Sequence, residues 1–351
     1  MIDVKVPVNR DKDWKVFVEN GGFRYEFIAD FPKYLEDDPD IQFTDVSSGF
    51  CDQDDNVYIM MRDGRSTIMK CDVEGNLIER IPIGKYVQTL HFGCITPEGN
   101  MLITNAFMHC AVEMTQDGQL VREYGNRGVS GNTGYDNLTW RRQRRYGKLI
   151  LPKTEAVYSS GKWADYEAWK AIVRRGAPFN CVTSCCINSK GQRIFGDGYG
   201  NCAVHTFNPD ATLVSSWGEP SHDENGHYTP GPGKFFIVHA LACDSKDRVW
   251  AADRDGDAVT VYNPDGTIAA YIHGTLGQPS GMTYDGEYMY VAGRGGYITI
   301  FNDDFEIVAK HGYFNSELKA HGICHNSRGD LFLFPAHANA DHQVIQLKRI
   351  R

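Results

Sequence analysis

The feature that most constrains the fold of this chain is a unit that recurs six times between residues 45 and 349. Each copy opens on a small or polar residue and continues through short β-rich runs, which polar turns such as EGN, DGQ, PDG and SKG separate. Glycine and asparagine in such turns supply the positive φ that tight hairpins require. Repetition of a small antiparallel unit indicates an array of similar sheets.

The six units predict an all-β fold, a six-bladed β-propeller of the NHL-repeat type, in a single domain over residues 1–351. The sixth unit ends after its third strand, and the N-terminal segment FRYEFIADF at residues 23–31 has strand composition. We expect this segment to supply the outer strand of the sixth blade, because closing the ring removes exposed strand edges. The predicted blades occupy approximately residues 45–81, 88–125, 181–218, 238–274, 279–312 and 320–349.

A segment at residues 126–180 interrupts the repeat between the second and third blades. Residues 162–175 carry apolar side chains at helical spacing, and Gly176 and Pro178 would end such a helix. Two interpretations stay open: a solvated, salt-bridged excursion on the propeller face, or a lid over the axial pocket, because long ordered insertions are often binding loops. Four arginines precede the predicted helix: Arg141, Arg142, Arg144 and Arg145.

Charge and cysteine content limit the function classes. The net charge of −9 disfavours binding to a phosphate backbone, so we expect no nucleic-acid partner. No apolar run of about 18 residues and no apolar leader are present, which predicts a cytoplasmic protein with no membrane partner. No CxxC pair occurs, and a reducing compartment fits best. Six of the ten cysteines lie in predicted innermost strands, where we expect small buried hydrophobes: Cys51, Cys94, Cys185, Cys186, Cys243 and Cys324.

Three histidines occupy one column of the repeat. His91, His239 and His321 each lie twelve residues before a matching second-strand residue, and they open alternate blades. The first residue of an innermost strand lies beside the propeller axis, and alternate blades of six are related by about 120°. We therefore expect three imidazoles to converge on the axis and to leave an open position, as in catalytic metal sites. The same column holds small hydroxyl residues in the other blades: Ser47, Thr183 and Ser280.

The expected metal is zinc, Zn2+, and another divalent transition metal is the alternative, since imidazole also suits iron, copper and nickel. The loops after the second strands bring charged and phenolic groups to the same mouth. Arg62, Arg254 and Arg294 are candidates for clamping a carboxylate, although each is equally open to being a structural salt bridge. Tyr199 is a candidate base, because a nearby cation and arginine would favour its phenolate. Three residues are candidates for substrate binding: Arg294, Lys319 and His337.

Together these residues resemble the peptidyl-α-hydroxyglycine α-amidating lyase family (peptidylamidoglycolate lyase) and its bacterial NHL-repeat relatives. The resemblance covers the six blades, from about Asp45 to Leu347, and leaves out the inserted segment. It is densest in FGDGYGNCAVHTFNPDATLVSSWGEP and in GPGKFFIVHALACDSKDRVWAADRDGDAVTVYN.

The resemblance implies a role for each matched residue. The three histidines of the column match the family's zinc ligands, Tyr199 in DGYGN matches its catalytic tyrosine, and Arg62 and Arg254 match its two active-site arginines. The family breaks the C–N bond of a carbinolamide, an α-hydroxyglycine, and releases an amide and glyoxylate. The implied function is a metal-dependent lyase for a hydroxylated small molecule that bears a carboxylate.

Three departures from the family bear on the substrate. The Asp that follows the third histidine in the family, and helps to bind a structural calcium, is Gly322 here, which makes a structural Ca2+ doubtful. A Met in the pocket wall is replaced by Lys319, and a disulfide Cys after the tyrosine is replaced by Gly200. These changes leave the metal chemistry in place and favour a small hydroxylated acid or amide over a long peptide.

Two other functions stay open. A metal-dependent hydrolase or hydratase would use the same site, and a non-catalytic NHL module would bind protein or RNA on a broad basic or apolar face. The fold alone does not choose among them. A propeller lactonase would need carboxylate and Asn ligands for an axial calcium, whereas the column offers His, Ser and Thr. The sequence does not determine the oligomeric state.

Overall fold

The computed structural model shows an all-β chain folded as a six-bladed β-propeller, which confirms the predicted fold class. It describes residues 1–7, 17–29, 31–33, 46–62, 66–135, 169–335 and 344–350, with the backbone alone for 17–19. Three strands precede the first blade: β1 (Ile2–Val6), β2 (Phe17–Asn20) and β3 (Phe23–Ile28).

Each of the first three blades is a four-stranded antiparallel sheet with its first strand innermost. Blade 1 contains β4 (Val46–Cys51), β5 (Val57–Met61), β6 (Thr67–Cys71) and β7 (Leu77–Pro82). Blade 2 contains β8 (Leu90–Ile95), β9 (Met101–Asn105), a 3₁₀ turn (Ala106–Met108), β10 (Cys110–Met114) and β11 (Leu120–Gly125). Blade 3 contains β12 (Val182–Ile187), β13 (Arg193–Asp197), β14 (Ala203–Phe207) and β15 (Leu213–Trp217).

The second half of the ring follows a short parallel pair, β16 (Glu219–Pro220) and β17 (Lys234–Phe235). Blade 4 contains β18 (Val238–Cys243), β19 (Val249–Asp253), β20 (Ala258–Tyr262) and β21 (Ile268–Gly274). Blade 5 contains β22 (Pro279–Tyr284), β23 (Met289–Gly293), β24 (Tyr297–Phe301) and β25 (Ile307–Gly312). Blade 6 contains β26 (Gly322–His325), β27 (Leu331–Phe334) and β28 (Ile345–Ile350).

The N-terminal strands tie two blades of the ring. β28 pairs antiparallel with β3, and β3 pairs with β2, so the N-terminal segment completes blade 6. β1 pairs in parallel with β21 on the outer edge of blade 4, a contact that the repeat does not predict. The buried ammonium of Lys310 donates to the carbonyl oxygens of Pro7 and Thr275, at 2.5 and 2.6 Å, and so holds the end of this segment.

The core lies between neighbouring blades. Second strands such as β5, with the sequence VYIMM, are buried along their whole length, because both faces of a blade pack against other blades. Outer strands such as β7 are mostly exposed. In one interface, Phe50 of blade 1 packs in the same cluster as Met101 and Ile103 of blade 2. Each such side chain contributes about 1.5–3 kcal/mol on burial, so these interfaces fix the innermost strands around the axis.

The helix predicted in the inserted segment is shorter than expected at its C-terminal end. It ends at Ala171 rather than at Arg175. Val173, expected on the apolar face, is 60% exposed, because its backbone N–H bonds to the carbonyl of Thr133 instead of continuing the helix. The beginning of the predicted helix and the four arginines lie in residues 136–168, outside the described residues. Within the described ranges, no helix forms an apolar stretch of membrane-spanning length.

Candidate metal centre on the propeller axis

Three histidine side chains meet on the propeller axis. His91 and His239 are the second residues of β8 and β18, and His321 directly precedes β26. One ring nitrogen from each can be chosen so that all three lie within 4.8 Å of one another. The ring centroids are 4.7 to 5.1 Å apart, and all three side chains are buried. The structure thus brings together residues that are far apart in the sequence.

A bulge accompanies this column in five of the six blades, and it re-aims the side chains of His91 and His239. In a regular strand, successive side chains point to opposite faces of the sheet, which here are the two neighbouring blades. A bulge re-aims one side chain and is common beside functional sites. In five blades the pairing of the first and second strands shifts register across this column, between Val46 and Ser48, Leu90 and Gly93, Val182 and Ser184, Val238 and Ala240, and Pro279 and Gly281.

Each histidine makes a hydrogen bond to the next blade around the ring, and this bond sets its tautomer. The Nδ1 atoms bond to the carbonyl oxygens of the adjacent column residues, at 2.6 Å for His91, 2.8 Å for His239 and 2.6 Å for His321. A carbonyl oxygen only accepts, so each Nδ1 carries the proton. Each Nε2 is then left with a lone pair, which is the form that binds a metal. The accepting residues are Thr183, Ser280 and Ser47.

Two of the hydroxyl residues in the column also fix the backbone beside a histidine. The hydroxyl of Thr183 donates to the carbonyl of Val238 at 2.6 Å, and that of Ser280 donates to the carbonyl of Ala320 at 2.5 Å. These carbonyls belong to the residues directly before His239 and His321. These two hydroxyl residues therefore link blade 3 to blade 4 and blade 5 to blade 6, whereas the hydroxyl of Ser47 donates to the Met60 carbonyl within its own blade.

Phe92 is a residue of the site that the repeat pattern alone did not single out. Its ring centroid lies 5.1 Å from that of His91, 5.7 Å from His239 and 5.6 Å from His321. The ring is therefore nearly equidistant from all three imidazoles and packs against each of them. The signal was present in the sequence, because the other blades hold only small residues at this position: Ser48, Ser184, Ala240, Gly281 and Gly322.

Tyr199 places its hydroxyl at the same point. The oxygen lies 3.2 Å from Nε2 of His91 and 3.1 Å from Nε2 of His239. Nη1 of Arg254 donates to this oxygen at 3.1 Å. Nε and Nη2 of Arg254 both reach one carboxylate oxygen of Asp255, each at 2.7 Å. Asp255 therefore holds the guanidinium, and the guanidinium holds the phenol against two of the ring nitrogens.

Three of the remaining candidate residues lie in described segments, and the fourth does not. Nε of Arg62 donates at 3.0 Å to the carbonyl of Leu90, the residue before His91. The backbone N–H of Arg294 donates to the carbonyl of Gln278 at 3.1 Å. Lys319 is exposed in the segment before His321. His337 lies outside the described residues.

Burial and nearby positive charge keep two of the three imidazoles neutral, those of His239 and His321. Burial lowers the pKa of His239 well below its ordinary value, and the positive charge of Arg254 lowers it further. Burial likewise lowers the pKa of His321, with smaller contributions from the neighbouring histidines and from Arg62. Because protons bind weakly to these rings, the unprotonated nitrogens are available at neutral pH.

The residues present fit a transition-metal ion. Three neutral imidazoles with Nδ1 fixed by carbonyl acceptors are the ligand set and the supporting hydrogen bonds found at zinc centres. Three protein ligands leave a further coordination position, which distinguishes a catalytic arrangement from a closed structural one. The position after the third histidine has no room for a side chain, since a Cβ on Gly322 would lie 2.5 Å from the Ser48 hydroxyl.

Comparison with known proteins supports the fold. No protein-family model matches the sequence, and no curated protein matches it. A gluconolactonase from Xanthomonas campestris superimposes with a TM-score of 0.59 at 11% identity, over 98% of this chain and 99% of that chain. A streptogramin B lyase gives 0.54 at 11% identity, over 89% and 95%. The WD40 repeats of RRP9 give 0.54 at 12% identity, over 88% and 96%. At these identities the likeness shows a shared propeller fold.

Proposed function

We propose that this protein is a metal-dependent lyase that cleaves the carbinolamide-type C–N bond of a small hydroxylated substrate bearing a carboxylate. One observation carries the proposal. The Tyr199 hydroxyl lies 3.2 and 3.1 Å from the Nε2 atoms of His91 and His239 and accepts a hydrogen bond from Arg254. A proton-transfer group and a cation are thus placed at the mouth of a three-imidazole site.

The metal would be held by the histidine column. His91, His239 and His321 would bind zinc, or another divalent transition metal, through Nε2. When bound, this ion supplies a Lewis acid beside the substrate. The carbonyls that fix Nδ1 keep the imidazoles oriented, and Phe92 closes one side of the cluster against them.

Tyr199 would move the proton. A substrate hydroxyl directed at the three nitrogens has to lie next to the Tyr199 oxygen, because that oxygen lies within hydrogen-bond distance of two of them. As the phenolate, Tyr199 takes the hydroxyl proton, the C–O bond becomes C=O, and the C–N electron pair goes to nitrogen. The proton is then returned to nitrogen, so the products are an amide and glyoxylate, and no water is consumed.

The arginines would have two roles, one at Tyr199 and one at the substrate carboxylate. Arg254 is held by Asp255 and directed at Tyr199, so it stabilises negative charge on the phenol oxygen. Arg62 and Arg294 are the candidates for the substrate carboxylate. Their positive charges act on the site, since Arg62 lowers the pKa of His321 and Arg294 lowers that of His239. A guanidinium pairs with a carboxylate through two parallel hydrogen bonds.

A metal-dependent hydrolase or hydratase is the second candidate, because the same proton-transfer group and open position would suit attack by water. The two functions differ in their products. A lyase releases glyoxylate from an N-acyl-α-hydroxyglycine without a water-derived group, whereas a hydrolase opens an ester or lactone to a hydroxy acid.

The experiment is a product assay on zinc-loaded protein. We expect an N-acyl-α-hydroxyglycine to yield glyoxylate and the free amide in equal amounts, above the spontaneous rate measured with His239→Ala. If glyoxylate release equals that background while a small lactone or ester is hydrolysed by the wild type and not by His239→Ala, the hydrolase is correct. If neither occurs in protein with a full metal complement, the lyase proposal fails.

A further inference from the structure

Six cysteine sulfurs of the innermost strands lie in pairs, and each pair spans the boundary between neighbouring blades. All six are free thiols. The sequence predicts small buried side chains at these positions, and the structure buries Cys185, Cys186 and Cys324 but leaves Cys51, Cys94 and Cys243 partly exposed. The sequence did not predict the pairing. The pairs and their Sγ–Sγ distances are Cys186–Cys243 at 3.3 Å, Cys51–Cys324 at 3.6 Å and Cys94–Cys185 at 3.8 Å.

The pairing follows from the register of the ring. In the two closest pairs, a residue three positions after the axial column faces a residue four positions after that column in the following blade. The same two positions at the boundary of blades 5 and 6 hold Thr283 and His325, whose side chains share a hydrogen bond of 2.7 Å. At these three boundaries the two positions therefore bring side chains into direct contact.

Each of the two closest pairs joins a partly exposed cysteine residue to a buried one. Cys243 and Cys51 are partly exposed, whereas Cys186 and Cys324 are 9% and 7% exposed. A small oxidant would reach the exposed thiol first, and the buried thiol lies next to the product. This is the arrangement of an attacking and a resolving cysteine.

We propose that Cys186–Cys243 and Cys51–Cys324 are sites of reversible disulfide formation by small-molecule disulfides of the glutathione type. The sulfurs of a disulfide are about 2.05 Å apart, so the two pairs have to close by roughly 1.3 to 1.6 Å. The proposal is restricted to these two pairs, because the Cys185 thiol of the third pair also donates to the carbonyl of Leu102, at 3.7 Å.

The reaction is a thiol–disulfide exchange in two steps. The thiolate of Cys243 attacks one sulfur of the small disulfide, forms a mixed disulfide and expels one small thiolate. The thiolate of Cys186 then attacks the Cys243 sulfur, which forms the intramolecular disulfide and expels the second thiolate. Two electrons pass from the protein to the small disulfide, and the two protein protons end on the two released thiols. Cys51 and Cys324 react in the same way.

Such cross-links would join blades rather than strands of one blade. Cys51 lies in blade 1 and Cys324 in blade 6, the two blades that meet where the ring closes, and 273 positions separate them. Cross-links that close long loops constrain the unfolded chain most strongly. The oxidised ring should therefore unfold at a higher temperature than the reduced ring. Formation of these cross-links would not involve the axial histidines.

The environment of the thiols makes the reaction slow at neutral pH. A hydrogen bond with Cys324 and burial raise the pKa of the Cys51 thiol well above its usual value. A hydrogen bond with Cys243 and burial do the same for Cys186. Since the thiolate is the nucleophile, the exchange should accelerate as the pH is raised.

The test incubates the full chain, natively folded and metal-loaded, with oxidised glutathione at about pH 8.5, followed by alkylation and peptide mapping. We expect two cross-linked peptides, Cys186–Cys243 and Cys51–Cys324, a loss of about 2 Da per link, and reversal by a dithiol reductant. Cys243→Ser should remove the first link, Cys51→Ser the second, and Cys71→Ser, on a third strand of blade 1, neither. The doubly linked wild type should unfold about 5 °C or more above the reduced form.

Three results would overturn the proposal. The first is that both pairs stay reduced under conditions that oxidise the denatured chain. The second is that glutathione remains attached to Cys51 or Cys243, which would show that the buried partner does not resolve it. The third is that linked protein unfolds at the same temperature as reduced protein, which would show that the cross-links do not stabilise the ring. The wild-type mass and peptide map need no variant, so a misfolded variant does not decide the outcome.

Discussion

The imidazole of His91 donates its Nδ1 proton to the backbone carbonyl of Thr183 in the next blade, across 2.6 Å. The same bond recurs at His239 and His321, so the three lone pairs at Nε2 are set by backbone that belongs to other blades. The metal site is therefore a property of the closed ring. A single blade does not contain the groups that orient its own histidine.

Replacing Phe92 with Ala should weaken metal binding without removing a ligand. The ring packs against all three imidazoles, and its loss leaves them free to turn and lets water reach the cluster. We expect the affinity for zinc to fall by about 10- to 100-fold, as for other residues that support metal ligands. Competition with a chromophoric chelator measures this. Phe107→Leu is the control, because it also removes a ring, but one that packs against Tyr199. This variant should bind zinc with the same affinity as the wild type.

Tyr199→Phe should retain the metal and lose turnover. The substitution removes the hydroxyl between His91 and His239 but leaves their Nδ1 bonds intact. We expect kcat for glyoxylate release to fall by about 10²- to 10⁴-fold at unchanged zinc content, the range for loss of a proton-transfer group. Tyr284→Phe, whose hydroxyl bonds to the Gly286 carbonyl and Asp303, serves as the matched control. Equal activity of Tyr199→Phe and wild type would remove Tyr199 from the chemistry.

Arg254→Lys should affect kcat rather than KM. A lysine ammonium cannot reproduce the planar fork that pairs with Asp255 through Nε and Nη2 while Nη1 reaches Tyr199. We expect kcat to fall by about 10-fold or more with a small change in KM, since one charge-assisted hydrogen bond is lost. Arg294→Lys should instead raise KM. Steady-state kinetics of both variants tests this division, and a reversed pattern would assign the carboxylate to Arg254.

His311 should make the fold sensitive to acid. Burial, and to a lesser degree the charge of Arg349, lowers the pKa of His311 from 6.5 to about 4. Between these two values the unfolded chain binds a proton that the folded chain does not, so stability is lost as the pH falls from about 6.5 to 4. His311→Gln should reduce that loss by about 3 kcal/mol, measured by denaturant unfolding at pH 7 and pH 4. The control His227→Gln should change the pH dependence much less, because the ion pair of His227 with Asp223 is exposed to solvent.

The repeat allowed the fold to be predicted, because each blade carries its own turns and strands. The histidine column was visible for the same reason, since a fixed register position maps to a fixed place in a propeller. The next position of the repeat, one residue after the histidine column, contains a further signal. One Phe among five small residues marks the only blade with an aromatic residue at this position of the repeat, and this is Phe92.

Contacts between blades could not be predicted from the repeat. Whether Cys186 contacts Cys243 depends on which face of each strand is turned to the neighbouring blade. The axial bulge shifts the alternation of side chains between the two faces by one residue. The addition of β1 to blade 4 depends on the path of the chain before the first repeat. The early end of the helix at Ala171 arises from a backbone bond of Val173 to Thr133, a long-range contact with no sequence signature.

The most direct test is the metal content of the purified protein after exposure to zinc and dialysis, measured by elemental analysis in three proteins. We predict about one equivalent of zinc per chain in the wild type and none in His239→Ala. His227→Ala should also bind one equivalent, because the imidazole of His227 is exposed, pairs with Asp223 and is not part of the axial cluster. Wild-type protein that is folded and metal-free, or His239→Ala with a full equivalent, would contradict the axial three-histidine centre and the function built on it.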